Sequence, residues 1–339
     1  MEHLTQKGRT LLQTSNQTAD LCSSLNICNK SSCEYTATVC QYQASHWTPA
    51  SNKSSDLIVA EFVRDCGLAS RRCQETIPCQ LDVAYRKPDV YTLNSKTNQY
   101  YDIYGADALP DSAPIFVFVH GGLWSEGSRK ISAPMVEPLT SAGCVVAVVG
   151  YDVVPAVSLD EMIDQIVAGI AHIAKFAQYR FSRGIVLCGH SAGAHLVLAA
   201  LIRLLNHTET KTCSSAIHSV FLLSGIYDLR PIVGTSLGAQ LKLTDDNVVR
   251  CSPVCCIETL KHQLFAGKIW IIDSQFEPPR YKEESDLLYN KLIELFEADN
   301  NRRNCLFRRT IENVDHFTIV SKLSDASYDM CKLLITELK

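Results

Sequence analysis

The sequence has 339 residues, of which 46 % are hydrophobic and 20 % are charged, and these values exclude a disordered or collagen-like chain. Its 32 basic and 36 acidic side chains give a formal net charge of −4, so electrostatics provide no reason to expect a nucleic acid or an anionic membrane as partner. The amino-terminal residues lack the apolar run of a secretory signal, and no apolar run reaches the roughly eighteen residues that a membrane-spanning helix requires. We therefore expect a cytoplasmic protein whose cysteines are mostly thiols.

The amino-terminal segment is polar and rich in cysteine. It carries four of the 15 cysteines of the chain, namely Cys22, Cys28, Cys33 and Cys40. None of the gaps between them is the C-x2-C spacing of a zinc knuckle, and no histidine pair follows nearby. We therefore expect residues 1–40 to be a disordered extension without a metal, and residues 41–339 to form a single domain.

Beyond this extension, short apolar runs alternate with helical patterns. Five runs are almost continuously apolar, as strands covered on both faces are: Ile115–Val119, Val145–Val149, 184–188, 219–223 and 268–272. Helices are predicted after the capping box of Ser158 and Glu161, over 194–205 and 286–296, and from Ser324 onward. This alternation indicates an α/β protein with a mostly parallel sheet and helices on both of its faces.

One motif predicts a catalytic nucleophile. Gly189-His190-Ser191-Ala192-Gly193 matches G-x-S-x-G, with an apolar strand before it and a helix of small residues after it. The serine of this motif lies on a sharp, strained turn, so the flanking residues must be small to avoid the neighbouring strand and helix. The pattern predicts Ser191 as the nucleophile and the N–H of Ala192 as a donor to an oxyanion.

A second motif follows the first predicted strand: His120-Gly121-Gly122-Leu123-Trp124. A glycine pair at this point lets the backbone turn so that its N–H groups face a cavity, where they would complete an oxyanion hole. Trp124 has two interpretations, because its ring could pack against a substrate or simply lie in the core.

A serine nucleophile needs a base and an acid, which follow it in the order acid, then histidine, in this architecture. His316 lies in a turn-like stretch before the last predicted helix, which is the usual place for the base. Asp273 and Glu277 both follow the strand at 268–272, and Asp228 is a third candidate acid. Asp273 is close to the strand end, whereas Glu277 lies in a proline-bounded loop, so we favour Glu277.

Together these motifs resemble the kynurenine formamidase (arylformamidase) family, a branch of the α/β-hydrolases related to hormone-sensitive-lipase-like esterases. The resemblance extends from about Tyr42 to the carboxyl terminus. Its most specific stretches are H-G-G-x-W at 120–124, G-H-S-A-G-A-H at 189–195, S-G-I-Y-D-L-R at 224–230 and V-D-H-F at 314–317.

The resemblance implies an α/β-hydrolase fold and the hydrolysis of N-formyl-L-kynurenine to L-kynurenine and formate. It implies Ser191 as nucleophile and His316 as base, with an oxyanion hole formed by the N–H groups of Gly122 and Leu123. The family has aspartate as its acid, whereas the matching position here is Glu277.

These groups suffice for the chemistry, so we expect no cofactor and no metal, and only a small-molecule substrate as partner. The sequence leaves a homodimer open. Two other functions also stay open. The chain could be a short-acyl carboxylesterase with the same triad, or an inactive hydrolase fold that acts as a binding module.

Overall fold

The computed structural model describes residues 28, 33, 35–50, 52–86, 97–206, 211–258, 260, 265–296 and 303–339. Most of the predicted extension, including Cys22, lies outside the described residues, so its disorder and the domain boundary near residue 40 stay predictions. None of the helices in these ranges is long and apolar enough to cross a membrane.

A single sheet of eight strands organises the described part of the chain, in the order β1-β2-β4-β3-β5-β6-β7-β8. β2 is antiparallel to both β1 and β4, and the other neighbouring strands are parallel. This arrangement confirms the predicted mostly parallel sheet. The strands are β1 (Cys79–Ala84), β2 (Tyr100–Tyr104), β3 (Ile115–Val119), β4 (Val145–Val149), β5 (Ile185–His190), β6 (Ile217–Leu223), β7 (Lys268–Phe276) and β8 (Leu306–Asp315).

The helices among the described residues range from single turns to six turns. They are α1 (Ala37–Cys40), α2 (Ser55–Thr76), α3 (Val136–Ser141), α4 (Leu159–Tyr179), α5 (Ala192–Asn206), α6 (Lys211–Ser214), α7 (Ser236–Gln240), α8 (Asp245–Cys251), α9 (Pro253–Cys256), α10 (Pro279–Phe296), α11 (Thr318–Ser321) and α12 (Asp329–Leu338). Short 3₁₀ turns lie at Ala44–His46, Arg129–Ile131, Arg230–Ile232 and Lys322–Ser324.

Helices cover both faces of the sheet, as predicted. Along β3, Ile115, Val117 and Val119 contribute to a core with α4, α5 and α10. The alternate residues Phe116 and Phe118 contribute to a second core with α2, α3 and α12. All five side chains are fully buried, which explains why the strand is continuously apolar rather than alternating.

The predicted strands are confirmed, two of them with the same bounds, but the sequence analysis missed others. β1 is largely exposed and β8 mixes exposed with buried positions, so neither shows a continuous apolar run. β7 continues to Phe276. Asp273 therefore lies within this strand, and the expectation that it follows the strand was wrong.

The capping box that begins α4 is confirmed. Ser158 Oγ accepts a hydrogen bond from the Glu161 N–H at 3.3 Å, and Glu161 Oε2 accepts from the Ser158 N–H at 2.7 Å. These two bonds satisfy backbone donors that a helix start otherwise leaves unpaired.

The parallel strands place the predicted functional motifs at one edge of the sheet. β3, β5, β6, β7 and β8 all run in the same direction, so the segments at their carboxyl ends meet there. Those segments include His120–Trp124 after β3, Ser191 after β5, Ser224 after β6, Glu277 after β7 and His316 after β8.

Candidate active site

Ser191 occupies the turn between β5 and α5. Its φ of 55° lies in the left-handed region, and its N–H donates to the carbonyl of Leu223 at 2.8 Å. A Cβ on Gly189 would lie 2.3 Å from the Gly193 carbonyl oxygen, and one on Gly193 would lie 2.2 Å from that of Val119. Only glycine fits at these two positions, and this close packing holds the strained serine at the sheet edge.

The His120–Trp124 loop lies directly beside Ser191. A Cβ on Gly121 would come within 2.9 Å of Ser191 Cβ, and Gly121, Gly122 and Leu123 line the same cavity as Ser191. Among the described residues, no protein acceptor receives the N–H of Gly122 or Leu123. Both donors are therefore available to a bound ligand, as an oxyanion hole requires.

His120 supports this loop as a neutral side chain. Its ring stacks on Tyr151 with centroids 4.4 Å apart, and the Tyr151 hydroxyl donates to the His120 carbonyl at 2.8 Å. Burial lowers the pKa of His120 to about 4, because an imidazolium there would lose its hydration.

Trp124 lies in the core, so the second interpretation of this residue is the correct one. Its side chain is fully buried and its Nε1–H donates to His195 Nδ1 at 3.2 Å. His195 in turn donates from Nε2 to the carbonyl of Cys251 at 2.7 Å. Burial lowers the pKa of His195 to about 4, consistent with the neutral tautomer that these two bonds need. The pair connects the loop after β3 to α5.

His316 and Glu277 meet at the carboxyl ends of β8 and β7. His316 Nδ1 lies 3.0 Å from Glu277 Oε2, and both side chains are buried. The other carboxylate oxygen, Oε1, accepts hydrogen bonds from the hydroxyls of Ser274 at 2.7 Å and of Ser224. The carboxylate is thus oriented by both serines while it accepts from the imidazole.

The other candidate acids have different partners. Asp273 accepts hydrogen bonds from Arg308 and, at 2.7 Å, from the hydroxyl of Thr310. Asp228 is paired with Arg230 at 2.7 Å. Of the three carboxylates considered, only Glu277 contacts His316.

Two residues to which the sequence analysis assigned no role contact the ring of His316. The ring of His190 lies 4.6 Å from that of His316, and its Nε2 donates to the His316 carbonyl at 2.9 Å. Burial, followed by the charge of His316, lowers the pKa of His190 well below its usual value. The ring of Tyr281 lies edge-on at 4.7 Å, and burial strongly raises its pKa. His190 lay within the G-x-S-x-G motif, but nothing local in the sequence marked Tyr281.

These groups open into one cavity, whose lining includes two groups of residues. The first group is Ser191, His316 and the glycine pair of the His120–Trp124 loop. The second group is residues 42–45, which we call the amino-terminal wall, together with one face of α2. The side chains that α2 contributes are Val59, Phe62, Val63 and Cys66.

Comparison with known proteins identifies the family. The kynurenine formamidase of Danio rerio is 30 % identical over 295 residues, which cover 87 % of this chain and 93 % of that protein. The chain belongs to the kynurenine formamidase family. The family member from Drosophila melanogaster is 30 % identical over 190 residues, covering 55 % of this chain and 63 % of its own. A family model described as BD-FAE also matches residues 101–252.

Solved structures of lower identity agree on the fold. An esterase from Pyrobaculum calidifontis has a TM-score of 0.62 at 15 % identity, covering 85 % of this chain and 93 % of its own. Esterase B from Lactobacillus rhamnosis has a TM-score of 0.60 at 16 % identity, covering 89 % and 94 %. The predicted α/β-hydrolase fold is confirmed.

Proposed function

We propose that this chain hydrolyses N-formyl-L-kynurenine to L-kynurenine and formate, with Ser191, His316 and Glu277 as the catalytic triad. The observation that carries the proposal is the similarity to a kynurenine formamidase over 87 % of the chain. The contact between His316 and Glu277, beside the cavity that Ser191 also lines, supports it.

The first step forms a formyl ester on the enzyme. Ser191 Oγ attacks the formyl carbon while His316 takes the hydroxyl proton, and Glu277 stabilises the resulting imidazolium through Nδ1. The formyl oxygen becomes an oxyanion and accepts hydrogen bonds from backbone N–H groups. The proposed donors are those of Gly122, Leu123 and Ala192, two from the loop after β3 and one from the start of α5.

The tetrahedral intermediate then collapses as its carbon–nitrogen bond breaks. The arylamine leaves with the proton that His316 donates, since an aryl amide anion is too basic to leave unprotonated. Water attacks the formyl ester with His316 again as base, formate departs, and Ser191 regains its proton.

The lining of the cavity suits this substrate. The formyl carbon carries only hydrogen, so the acyl side needs little room. The aryl ring has an apolar surface available at Phe62, Phe317 and Val320. Glu126 is the only carboxylate among the described lining residues and is exposed, so it could pair with the α-ammonium group of the substrate.

A substrate panel tests the proposal. We expect the purified protein to show its highest kcat/KM with N-formyl-L-kynurenine, a lower value with formanilide and the lowest with p-nitrophenyl acetate. The control variant Ser191→Ala should lose activity by about 10⁴-fold or more while keeping its circular dichroism spectrum.

Two outcomes would contradict it. A higher kcat/KM for the ester would support the carboxylesterase alternative. Binding of formyl-kynurenine without turnover by the folded wild-type protein would support a catalytically inactive module.

A further inference from the structure

A second cluster of reactive side chains lies outside the catalytic groups, in the amino-terminal segment. The Sγ atoms of Cys28, Cys33 and Cys40 and the Nδ1 atom of His46 all lie within 4.8 Å of one another. Cys33, Cys40 and His46 are buried, and Cys28 is half-buried. We call these four residues the Cys/His cluster.

Four of the six separations within the cluster are close to those around a tetrahedral zinc ion, and the other two, between Cys28 Sγ and the other sulfurs, are within 4.8 Å. His46 Nδ1 lies 3.5 Å from the Sγ atoms of both Cys33 and Cys40, and 3.8 Å from that of Cys28. The Sγ atoms of Cys33 and Cys40 are 3.6 Å apart. Zinc–sulfur bonds of about 2.3 Å and zinc–nitrogen bonds of about 2.0 Å place tetrahedral ligands about 3.8 Å apart for two sulfurs and about 3.5 Å apart for sulfur and nitrogen.

The chemistry of the ligand atoms also selects zinc. Three thiols and one imidazole provide soft and borderline ligands and no oxygen, which disfavours magnesium and calcium. A Cys₃His set without an open position is typical of structural rather than catalytic zinc sites. A disulfide between Cys33 and Cys40 would need their sulfurs at about 2.0 Å, and it would not explain why Cys28 and His46 converge on the same point.

The surroundings of the cluster hold two of its ligands in place. The indole Nε1–H of Trp47 donates to the carbonyl of Cys40 at 3.1 Å. The ring of Tyr35 packs at a tilt against that of His46, with centroids 5.5 Å apart. Support of this kind for a ligand's backbone and ring is common around metal sites.

We propose that Cys28, Cys33, Cys40 and His46 bind one zinc ion, which fastens the amino-terminal wall of the substrate cavity. This inference goes beyond the proposed function, because it assigns a site that takes no part in the reaction. It also departs from the expectation that the segment has no metal, which stays a prediction until the metal content is measured. That expectation considered only cysteine spacing and a histidine pair, and overlooked the single His46, six positions after Cys40.

The Cys/His cluster lies next in sequence to residues that line the cavity. Residues 42–45 lie between the ligands Cys40 and His46 and contribute four lining residues to the cavity. The hydroxyl of Tyr281, whose ring contacts His316, donates to the carbonyl of Tyr42 at 3.4 Å. A single zinc ion bound to ligands on both sides of this short segment would therefore hold the amino-terminal wall in place.

Metal analysis of the full-length protein tests the site. We expect protein purified without chelators to contain about one zinc ion per chain, and Cys33→Ser and Cys40→Ser to lose it. The matched control Cys305→Ser changes a half-buried cysteine elsewhere in the chain and should keep the metal. Wild-type protein without zinc after dialysis against zinc salt would overturn the proposal, as would full zinc content in both cluster variants.

Alkylation of the wild-type protein keeps the test decisive if the variants fail to fold. Cys28, Cys33 and Cys40 should react with iodoacetamide only after a chelator removes the metal, whereas Cys305 should react equally with and without it. Unchanged alkylation of the three cysteines, or a disulfide between Cys33 and Cys40 in the native protein, would refute the site. Both measurements omit substrate, so their outcome is independent of the proposed reaction.

Kinetics of the metal-free protein then test the effect on the wall. We expect KM to rise about tenfold and kcat to change by less than about threefold, with recovery when zinc is restored. A fall in kcat at constant KM would contradict a role confined to the wall.

Discussion

The two groups of residues that line the cavity are held in different ways. Around Ser191, its N–H donates to the carbonyl of Leu223 at 2.8 Å and Ser224 N–H donates to that of Ile272 at 2.7 Å, so these turns continue the hydrogen bonding of the central strands. Around the amino-terminal wall, the described residues before α2 form the single-turn helix α1 and the 3₁₀ turn Ala44–His46, and none of them belongs to a strand of the sheet. There the side chains of the Cys/His cluster converge, Trp47 donates to the carbonyl of Cys40, and Tyr281 donates to that of Tyr42.

This difference predicts that the two groups of lining residues affect different kinetic constants. We expect the groups held by the sheet to keep the reacting atoms in place and therefore to control kcat. We expect the groups on the amino-terminal wall and α2 to contact the substrate away from the reacting carbon and therefore to control KM. Variants in each group can separate these two effects.

The largest effect is expected among the proposed catalytic residues, at Glu277. Glu277→Gln replaces the acceptor of His316 Nδ1 and should lower kcat by about 10⁴-fold, since the imidazole loses its orientation and the stabilisation of its charge. Asp273→Asn is the matched control, because Asp273 is paired with Arg308 instead, and it should keep most of its rate. The opposite ranking in steady-state kinetics would move the acid to Asp273.

A smaller effect on kcat is expected from a substitution of Gly122 in the His120–Trp124 loop. Gly122 has a φ of 120°, and a Cβ there would lie 2.2 Å from the carbonyl oxygen of Glu126. Gly122→Ala should displace a proposed oxyanion donor and lower kcat by about 10²- to 10³-fold.

Gly143→Ala provides the control for this variant. Gly143 also has a positive φ, of 86°, but a Cβ there meets no atom within 4 Å. This variant carries the backbone strain without the collision and should leave kcat nearly unchanged. If kcat falls by the same factor in both variants, general destabilisation rather than displacement of the His120–Trp124 loop is responsible.

The smallest effect is expected on α2, at Phe62. Phe62 lines the cavity and lies 5.4 Å from the ring of Phe317. Phe62→Ala should raise KM about tenfold and change kcat by less than about threefold, because it removes apolar contact with the substrate ring and no catalytic group. Leu68→Ala, on the same helix but 60 % exposed, should change neither constant. A loss confined to kcat would contradict the division between the two groups of lining residues.

The sequence predicted much of the fold and most of the candidate site. The central strands are apolar on both faces, so their sequences are continuously apolar. The capping box of α4 can be recognised because its two residues, Ser158 and Glu161, lie only three positions apart. The turn at Ser191 could also be predicted, because the close packing of β5, the turn and α5 requires small residues at fixed positions around the serine. Glu277 was identified through its loop position and the family resemblance, although its catalytic role remains a prediction.

Features that depend on distant contacts could not be read from the chain. The pairing of Trp124 with His195 joins residues 71 positions apart, and Ser224 reaches Glu277 across 53 positions. β1 and β8 lie at the two edges of the sheet, where exposed positions remove the apolar signal.

The sequence by itself thus determined the strands of the sheet centre and the motifs at their ends, because local sterics and burial dictate residue type at those positions. Only the tertiary structure decided which carboxylate meets His316 and that Trp124 belongs to the core. It also brought three irregularly spaced cysteines and one histidine to a single point. Such groupings depend on how the folded chain brings separated side chains together, and the spacing of residues along the sequence does not reveal which side chains will meet.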